Sequence, residues 1–571
     1  MFPLVPFSLL SVLLSSIVLA DAAVPVAVPA TPSGSTIVHS NFLGISFELS
    51  FMTDYFGNDT ANINTPMLNY LAGIRARTGG NPMRIRIGGN SADSSPYESE
   101  ASSPMVALQA GNFNSNDQPV TYNSMLWSVM ANVSNSVGGV AFVINIPLAI
   151  QPNASLSTDI RTILGSALDS MLLGNEPDLY SGHGKRPNLK NYTVEDYFGE
   201  YAAAIKTIGP DDSQGIQDIG GPSACCAWHY PQNNCNPGVF PFQLPWYLQH
   251  SNVVTLAQWQ KPGIDYLLSQ SGDRPQLINS EFNSASCGGV PFSPSFGVGS
   301  LWSVDYALQM ATVGYTQAYL HTREAGISYN LLAPPSGPPG SPGPWTTNSP
   351  YYSLLTVAEA LRTEHGAIVA DLNLGGSMTN PAATTSAYAV YNADNKTVSR
   401  LALFNWANTT TQFVLPASVF NSEGTALVKF LAAATPEEET NISWGGETWG
   451  PGVSDGKSTL TPDWAVPNQN LTGCAKDGCT FTAPGPSLAM VFLDNAQFEN
   501  AASSGPSNDN TNANSSSSGN GNVSGTGSGS SSASSPSAAG GGASGQSGAA
   551  AVRLTPAAAF GAVLSLGFVL L

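Results

Sequence analysis

A (β/α)8 barrel followed by an all-β sandwich is the fold this chain of 571 residues predicts, on three observations. Short apolar runs alternate with helix-like segments from about residue 41 to 362, the pattern of a parallel sheet covered by helices. No glycine fingerprint follows the first run, as an open dinucleotide-binding sheet would require. From 363 to 496 the texture changes to strand-length segments parted by Asn, Gly, Ser and Pro.

In order, the barrel runs are LGISFEL from Leu43, MRIRIGG from Met83, VAFVINIP from Val140, SMLLGNEP from Ser170, IQDIGGPS from Ile216, PQLINSEF from Pro275 and QAYLHTRE from Gln317. Each is long enough for a buried strand, and each ends on polar residues. Helices fit between them. TPMLNYLAGIRARTGG has Thr65 as N-cap, Pro66 at the first helical position and Gly79 past the end. SLWSVDYALQMATVG and SPYYSLLTVAEALRTEHG complete the series. The sandwich strands are SAYAVYNAD, RLALFNWAN, TQFVLPAS, ALVKFLAA and SLAMVFLD, and the piece 23–40 adds a strand to them.

Both termini read as processing signals. Residues 1–22 carry an apolar core and the small-residue element Ala20-Asp21-Ala22 of a secretory leader. Residues 497–548 form a Ser/Gly/Asn-rich stalk unable to bury a core. The tail 549–571 fits a glycosylphosphatidylinositol attachment signal better than a transmembrane helix, because no Lys or Arg follows it. The expected location is extracellular, at the cell surface or wall, with membrane attachment through that anchor. About ten N-x-S/T sequons, Asn58, Asn132, Asn153, Asn191, Asn395, Asn408, Asn441 and Asn470 among them, suit that route.

Thirty-eight acidic residues against 19 basic ones give a net charge of −19, which repels nucleic acid. Six cysteines in a secreted chain point to disulfides. Cys474 and Cys479 are close enough to clip one loop, while Cys225, Cys226, Cys235 and Cys287 allow three pairings. They lack zinc-site spacing and no H-E-x-x-H occurs, so neither metal nor cofactor is expected.

The chemistry gathers at strand ends. In LLGNEPDLY, Pro177 has no N–H and disfavours helix before it, so the strand stops and leaves Asn175 and Glu176 at the barrel mouth. Glu281 ends a later strand in LINSEFNSASCGG in the same manner. One such Glu alone is more often a solvated charge or a helix cap. Two of them, in a chain with only 10% charged residues, suit cleavage of a glycosidic bond: one carboxyl donates a proton while the other attacks. Asn175 is placed to hold the sugar's 2-hydroxyl. Arg323 offers a fork for a substrate carboxylate, with surface solvation equally good as an explanation.

LLGNEPDLY with KRP and NYTVEDY after it, MRIRIGGNSAD, LINSEFNSASCGG and LHTREAGISYN together resemble glycoside hydrolase family 79, the β-glucuronidase and heparanase-like group, from about Leu43 to Asp494. The resemblance implies Glu176 as acid/base and Glu281 as nucleophile, with Asn175, Glu48 and Asp93 on sugar hydroxyls and Tyr230 and Tyr329 lining a glucuronate pocket. Asp93 also reads as a helix cap, and the tyrosines as ordinary packing. The implied activity is a retaining exo-glycosidase releasing β-linked glucuronic acid or its 4-O-methyl form from glycans such as arabinogalactan; no protein partner is expected. A β-glucosidase or β-xylosidase, or a catalytically inert wall or carbohydrate-binding protein, is the rival.

One departure concerns the barrel itself. After the fifth run a helix and a sixth strand need roughly 20 or more residues, yet only Ala224 to Trp228 separate Ser223 from HYPQNN, which resembles the exit of the sixth strand. Either that helix and strand are missing, leaving the barrel incomplete there, or the segment 252–259 serves as the sixth strand.

Overall fold

The computed structural model describes residues 23–493, apart from 110–117, 210–217, 225–229, 236–239, 270–275, 338–340 and 461–462. The expected leader, stalk and anchor tail, and Cys225 and Cys226, lie outside the described residues.

Seven parallel strands form the first sheet: β1 (Leu43–Glu48), β2 (Met83–Gly88), β3 (Val140–Ile146), β4 (Leu168–Leu173), β5 (Ile219–Gly220), β6 (Ile278–Phe282) and β7 (Gln317–Thr322). Their spatial order is β6-β7-β1-β2-β3-β4-β5, so each connection is a crossover to the next position round the barrel. Around them pack α1 (Thr65–Arg75), α2 (Met125–Val137), α3 (Ala154–Leu164), α4 (Val194–Ile208), α5 (His250–Gln258), α6 (Lys261–Ser269), α7 (Ser303–Val313) and α8 (Pro350–Ala360). The strands β1 and β3 are buried along both faces because helices cover the outside and side chains fill the lumen. The N-cap of α1 is Asn64 rather than Thr65, so Thr65 is the first helical residue and Pro66 the second, still within the first turn, where a missing N–H costs nothing.

The barrel departs from eight strands where the spacing said it would. Among the described residues no strand of this sheet lies between β5 and β6. The segment 252–259 is not a strand but belongs to α5, because Val253, Val254, Leu256 and Ala257 recur at helical spacing and all four are buried. The two strands flanking the vacancy are joined at the mouth by Ser223 Oγ and Ser280 Oγ, 2.7 Å apart. Just beyond, Ser286 donates its N–H to Gln232 O at 3.0 Å and Asn234 donates its own to Ser286 O at 3.1 Å. The chain from Tyr230 to Asn234 thus occupies the mouth end of the sixth position.

The C-terminal domain is a sandwich. Strands β8 (Ala367–Asp371), β9 (Thr385–Asn392), β10 (Val398–Asn405), β11 (Thr411–Leu415), β12 (Ala426–Ala432), β13 (Cys479–Ala483) and β14 (Ser487–Phe492) carry it. A nine-stranded sheet runs β8-β9-β10-β14-β12 and on through short strands. Opposite it, β11 pairs with β13 and with Val24–Pro25. Alternation along β9 explains why that strand is buried throughout: Ala387, Ala389 and Tyr391 face the sandwich core, whereas Tyr388 and Val390 join the core that continues into the barrel.

Candidate active site

At the C-terminal ends of β1, β2, β4, β6 and β7 a polar cluster is set in an apolar frame. Its centre is Arg86, one of two arginines that alternate with isoleucine in β2, so both point into the lumen. Arg86 is fully buried. Its guanidinium donates to Glu281 Oε2 at 2.5 Å, to Asn175 Oδ1 at 2.6 Å and to Ser46 Oγ at 3.0 Å. A buried guanidinium needs such partners, and these three lie on three different strand ends.

Backbone at two strand ends is shaped for this crowding. A Cβ at Gly88 would collide with the Arg86 guanidinium, and one at Gly89 (φ +83°) with the Glu48 carboxylate. The Gly-Gly of RIGGN is therefore the space those two side chains occupy. After β4, Glu176 takes a left-handed conformation (φ 47°, ψ 50°), uncommon for a residue with a side chain, and donates its N–H to Ser223 O at 2.7 Å. Pro177 then opens a 3-10 turn.

The surroundings push the two expected carboxylates in opposite directions. Burial, then the charge of Glu281 and that of Asp178, hold the Glu176 carboxyl well above the usual range. Burial also opposes ionisation of Glu281, but His321, Arg86 and the Tyr230 hydroxyl overcome it and bring that carboxyl down to about 2. One carboxyl biased towards its acid form beside one biased towards its ionised form is the arrangement that a proton donor and a nucleophile acting together require.

The remaining expected residues divide. Tyr230 donates from its hydroxyl to Glu281 Oε1 at 2.8 Å, and Asn175 donates to Asn90 Oδ1 at 3.0 Å. Glu48 accepts from Ser91 N at 2.8 Å and from Ser91 Oγ, and its Oε2 lies 3.4 Å from His321 Nε2. Tyr329 is buried with its ring 6.1 Å from that of His321. Asp93 differs from expectation: it is 2% exposed and accepts from Leu148 N at 2.8 Å, Ala149 N at 3.3 Å and Tyr180 Oη at 2.6 Å. Those donors make it a brace between the loops after β2, β3 and β4 rather than an open sugar contact. Arg323 is not surface-solvated; it is 6% exposed and its Nε lies 3.0 Å from Glu324 Oε2.

The loop bearing Tyr230 is tied to the loop after Glu281 by the disulfide Cys235–Cys287, with Cα atoms 5.2 Å apart. Cys474 is bonded to Cys479. Arg86, Ser46, Asn90 and His321 were given no role by sequence reasoning. The signal for Arg86 was its place at even spacing in an otherwise apolar strand.

Residues 387–490 match the sequence model of the glycosyl hydrolase family 79 C-terminal beta domain. A β-glucuronidase of Neurospora crassa is 24% identical over 509 residues, covering 75% of this chain and 88% of that protein. Among solved structures, a 4-O-α-L-rhamnosyl-β-D-glucuronidase from Fusarium oxysporum 12S, in complex with Rha-GlcA, superimposes with a TM-score of 0.62 at 19% identity, covering 82% of this chain and all of that one.

Proposed function

We propose, the chain being a member of glycoside hydrolase family 79, that it is a retaining exo-β-glucuronidase that releases glucuronic acid or its 4-O-methyl form from extracellular glycans. The observation that carries the chemistry is the pairing of Glu281, which accepts from Arg86 at 2.5 Å and from Tyr230 at 2.8 Å, with Glu176, whose carboxyl its surroundings push the opposite way. In this reading Glu281 attacks the anomeric carbon while Glu176 gives its proton to the departing oxygen. Water then displaces Glu281 from the glycosyl-enzyme, with Glu176 now taking the proton. Arg86 keeps Glu281 ionised until it attacks, and it orients Asn175 towards the 2-hydroxyl. Glu48, Tyr230 and Tyr329 complete the pocket.

The acidic sugar rests on the named relative, a β-glucuronidase. Secretion and a glycolipid tether are supported by the leader-like start and apolar tail, and by sequon asparagines that lie exposed at 132, 191, 395, 408 and 470. The deciding experiment is hydrolysis of 4-nitrophenyl β-D-glucuronide beside the β-glucoside, with Glu281→Gln as control. Turnover of the glucuronide alone, lost in the variant, is the expected result. Preference for the glucoside would transfer the same chemistry to a neutral sugar. Failure of the folded protein on both would favour an inert wall protein. The pH profile should be bell-shaped, rising as Glu281 ionises and falling as Glu176 loses its proton.

A further inference from the structure

Ser46 on β1 and His321 on β7 face each other in the lumen behind the two carboxylates; the hydrolysis proposed above gives Ser46 no task and His321 none beyond helping to keep Glu281 ionised. They are partners in the register of adjacent strands, so the backbone fixes their separation. Ser46 is fully buried and His321 is 2% exposed.

Proton positions follow from which groups can donate. Arg86 NH1 lies 3.0 Å from Ser46 Oγ, and a guanidinium only donates, so Ser46 accepts there. Ser46 Oγ is also 3.0 Å from His321 Nδ1, and among the described residues these are the two partners of the hydroxyl. Were Ser46 to accept from Nδ1 as well, its own buried O–H would be left without an acceptor, which is costly, so the proton goes to Nδ1 and Nδ1 is the accepting nitrogen. A neutral imidazole that accepts at Nδ1 carries its proton at Nε2. Nε2 faces Glu48 Oε2 at 3.4 Å and Glu281 Oε1 at 3.8 Å. A lone pair there would confront two carboxylates, whereas an N–H is attracted by both. Two independent constraints thus select one tautomer.

The geometry points to Ser46 as a positioning residue that holds His321 in its Nε2–H tautomer, making Arg86, Ser46 and His321 a chain of donors that ends on Glu281 and Glu48. Arg86 then acts on Glu281 directly through a hydrogen bond and, through the chain, by the electrostatic attraction of the Nε2–H across 3.8 Å. As the charge of Glu281 is consumed in the bond to the sugar, the Nε2–H is left to Glu48 alone. The roles of Glu281 and Glu48 in this scheme rest on the glycosidase reading; the tautomer does not.

The test is imidazole nitrogen NMR on the full chain with labelled histidine, at mildly alkaline pH where an ordinary imidazole is neutral, with His321→Gln identifying the signal. The expected spectrum shows Nε2 protonated and Nδ1 unprotonated; a proton on Nδ1, or on both nitrogens, overturns the inference. Ser46→Ala should move His321 away from that tautomer and lower kcat by roughly tenfold, the scale of one lost hydrogen bond to a charged group, with the acid limb of the profile shifted upward. Ser46→Thr, which keeps the hydroxyl, should restore the tautomer. An unchanged tautomer and profile in Ser46→Ala would also overturn it. A wild-type protein that cleaves no glucuronide yet shows the Nε2–H spectrum would sink the proposed function and leave this inference standing.

Discussion

At the residue scale, Arg86 is the group whose loss should be felt most widely, because it is buried and joins Glu281, Asn175 and Ser46. Arg86→Leu leaves Glu281 without its nearest cation, so the acid limb of the pH profile should move up and kcat/KM should fall by about a hundredfold or more, the scale of losing one preorganised electrostatic contact. Arg86→Lys should do only partly better, since an ammonium cannot reach two acceptors with a planar fork. Azide separates the roles of the carboxylates. With a nitrophenyl leaving group departure needs little acid help, so Glu176→Ala should stall at the glycosyl-enzyme and be rescued by azide as the β-azide. Glu281→Ala rescued by azide should give the α-azide, and proton NMR of the products reads the anomer; the reverse pairing would exchange the two roles. Glu176 and Glu281 were legible because each carboxylate interrupts an apolar run beside a turn. Arg86 was not, because mid-strand charge looks like alternation until the lumen is known to be polar. Asp93 misled for a related reason: a short acidic side chain near a strand end serves a sugar or three protein donors equally well in sequence.

At the scale of elements, the vacancy at the sixth strand was legible as a count of residues, but its repair was not. The repair depends on contacts between segments distant in sequence: Ser223 with Ser280, Gln232 and Asn234 with Ser286, and Cys235 with Cys287 across 52 residues. Since among the described residues one side of the barrel lacks a full strand, the disulfide holds Tyr230 against Glu281 where a backbone ladder would otherwise do so. Replacing Cys235 and Cys287 by serine together should lower stability by about 2–4 kcal/mol, the usual range for a disulfide closing a loop of this kind. The same variant should lose activity at temperatures where it is still folded, because Tyr230 and its hydrogen bond to Glu281 are no longer fixed. Activity and circular dichroism followed against temperature would show the two losses separated; coincident curves would mean that the disulfide serves stability alone. Both-faced burial of β9 was likewise hidden in sequence, since SAYAVYN shows no polar face from which to orient it.

At the scale of the molecule, two buried charge clusters bind the β domain to the barrel. Arg77 bridges Glu359 of α8 at 2.9 Å and Glu447 of the β domain at 2.7 Å, while Lys429 of β12 reaches Glu359 at 2.5 Å. In the second cluster His250 of α5 has Nδ1 2.9 Å from Asp305 of α7 and Nε2 2.9 Å from Asp371 of β8, and Tyr388 of β9 donates to Asp305 at 2.6 Å. Burial works against a charged His250, but Asp305 and Asp371 outweigh it and raise the imidazole to about 10 from 6.5. The sign of the linkage follows. A cation stabilised by folding contributes fully below its unfolded pKa, and the contribution disappears as pH climbs through the folded one. Thermal stability should therefore decline from about pH 6.5 to about pH 10, because the folded imidazole keeps a proton there that the unfolded one has lost, so that unfolding releases a proton throughout that window. Because α5, α7, β8 and β9 meet at this one imidazole, the loss belongs to the junction, and barrel and β domain should melt in one transition at neutral pH. His250→Gln should lower the melting temperature at pH 6 and flatten its fall towards pH 10, measured by calorimetry across the range. A variant whose melting temperature still falls as steeply as that of the wild type would show that the slope comes from other groups, and that the junction is held by the shared apolar face and the Arg77 cluster without a titrating contribution from His250.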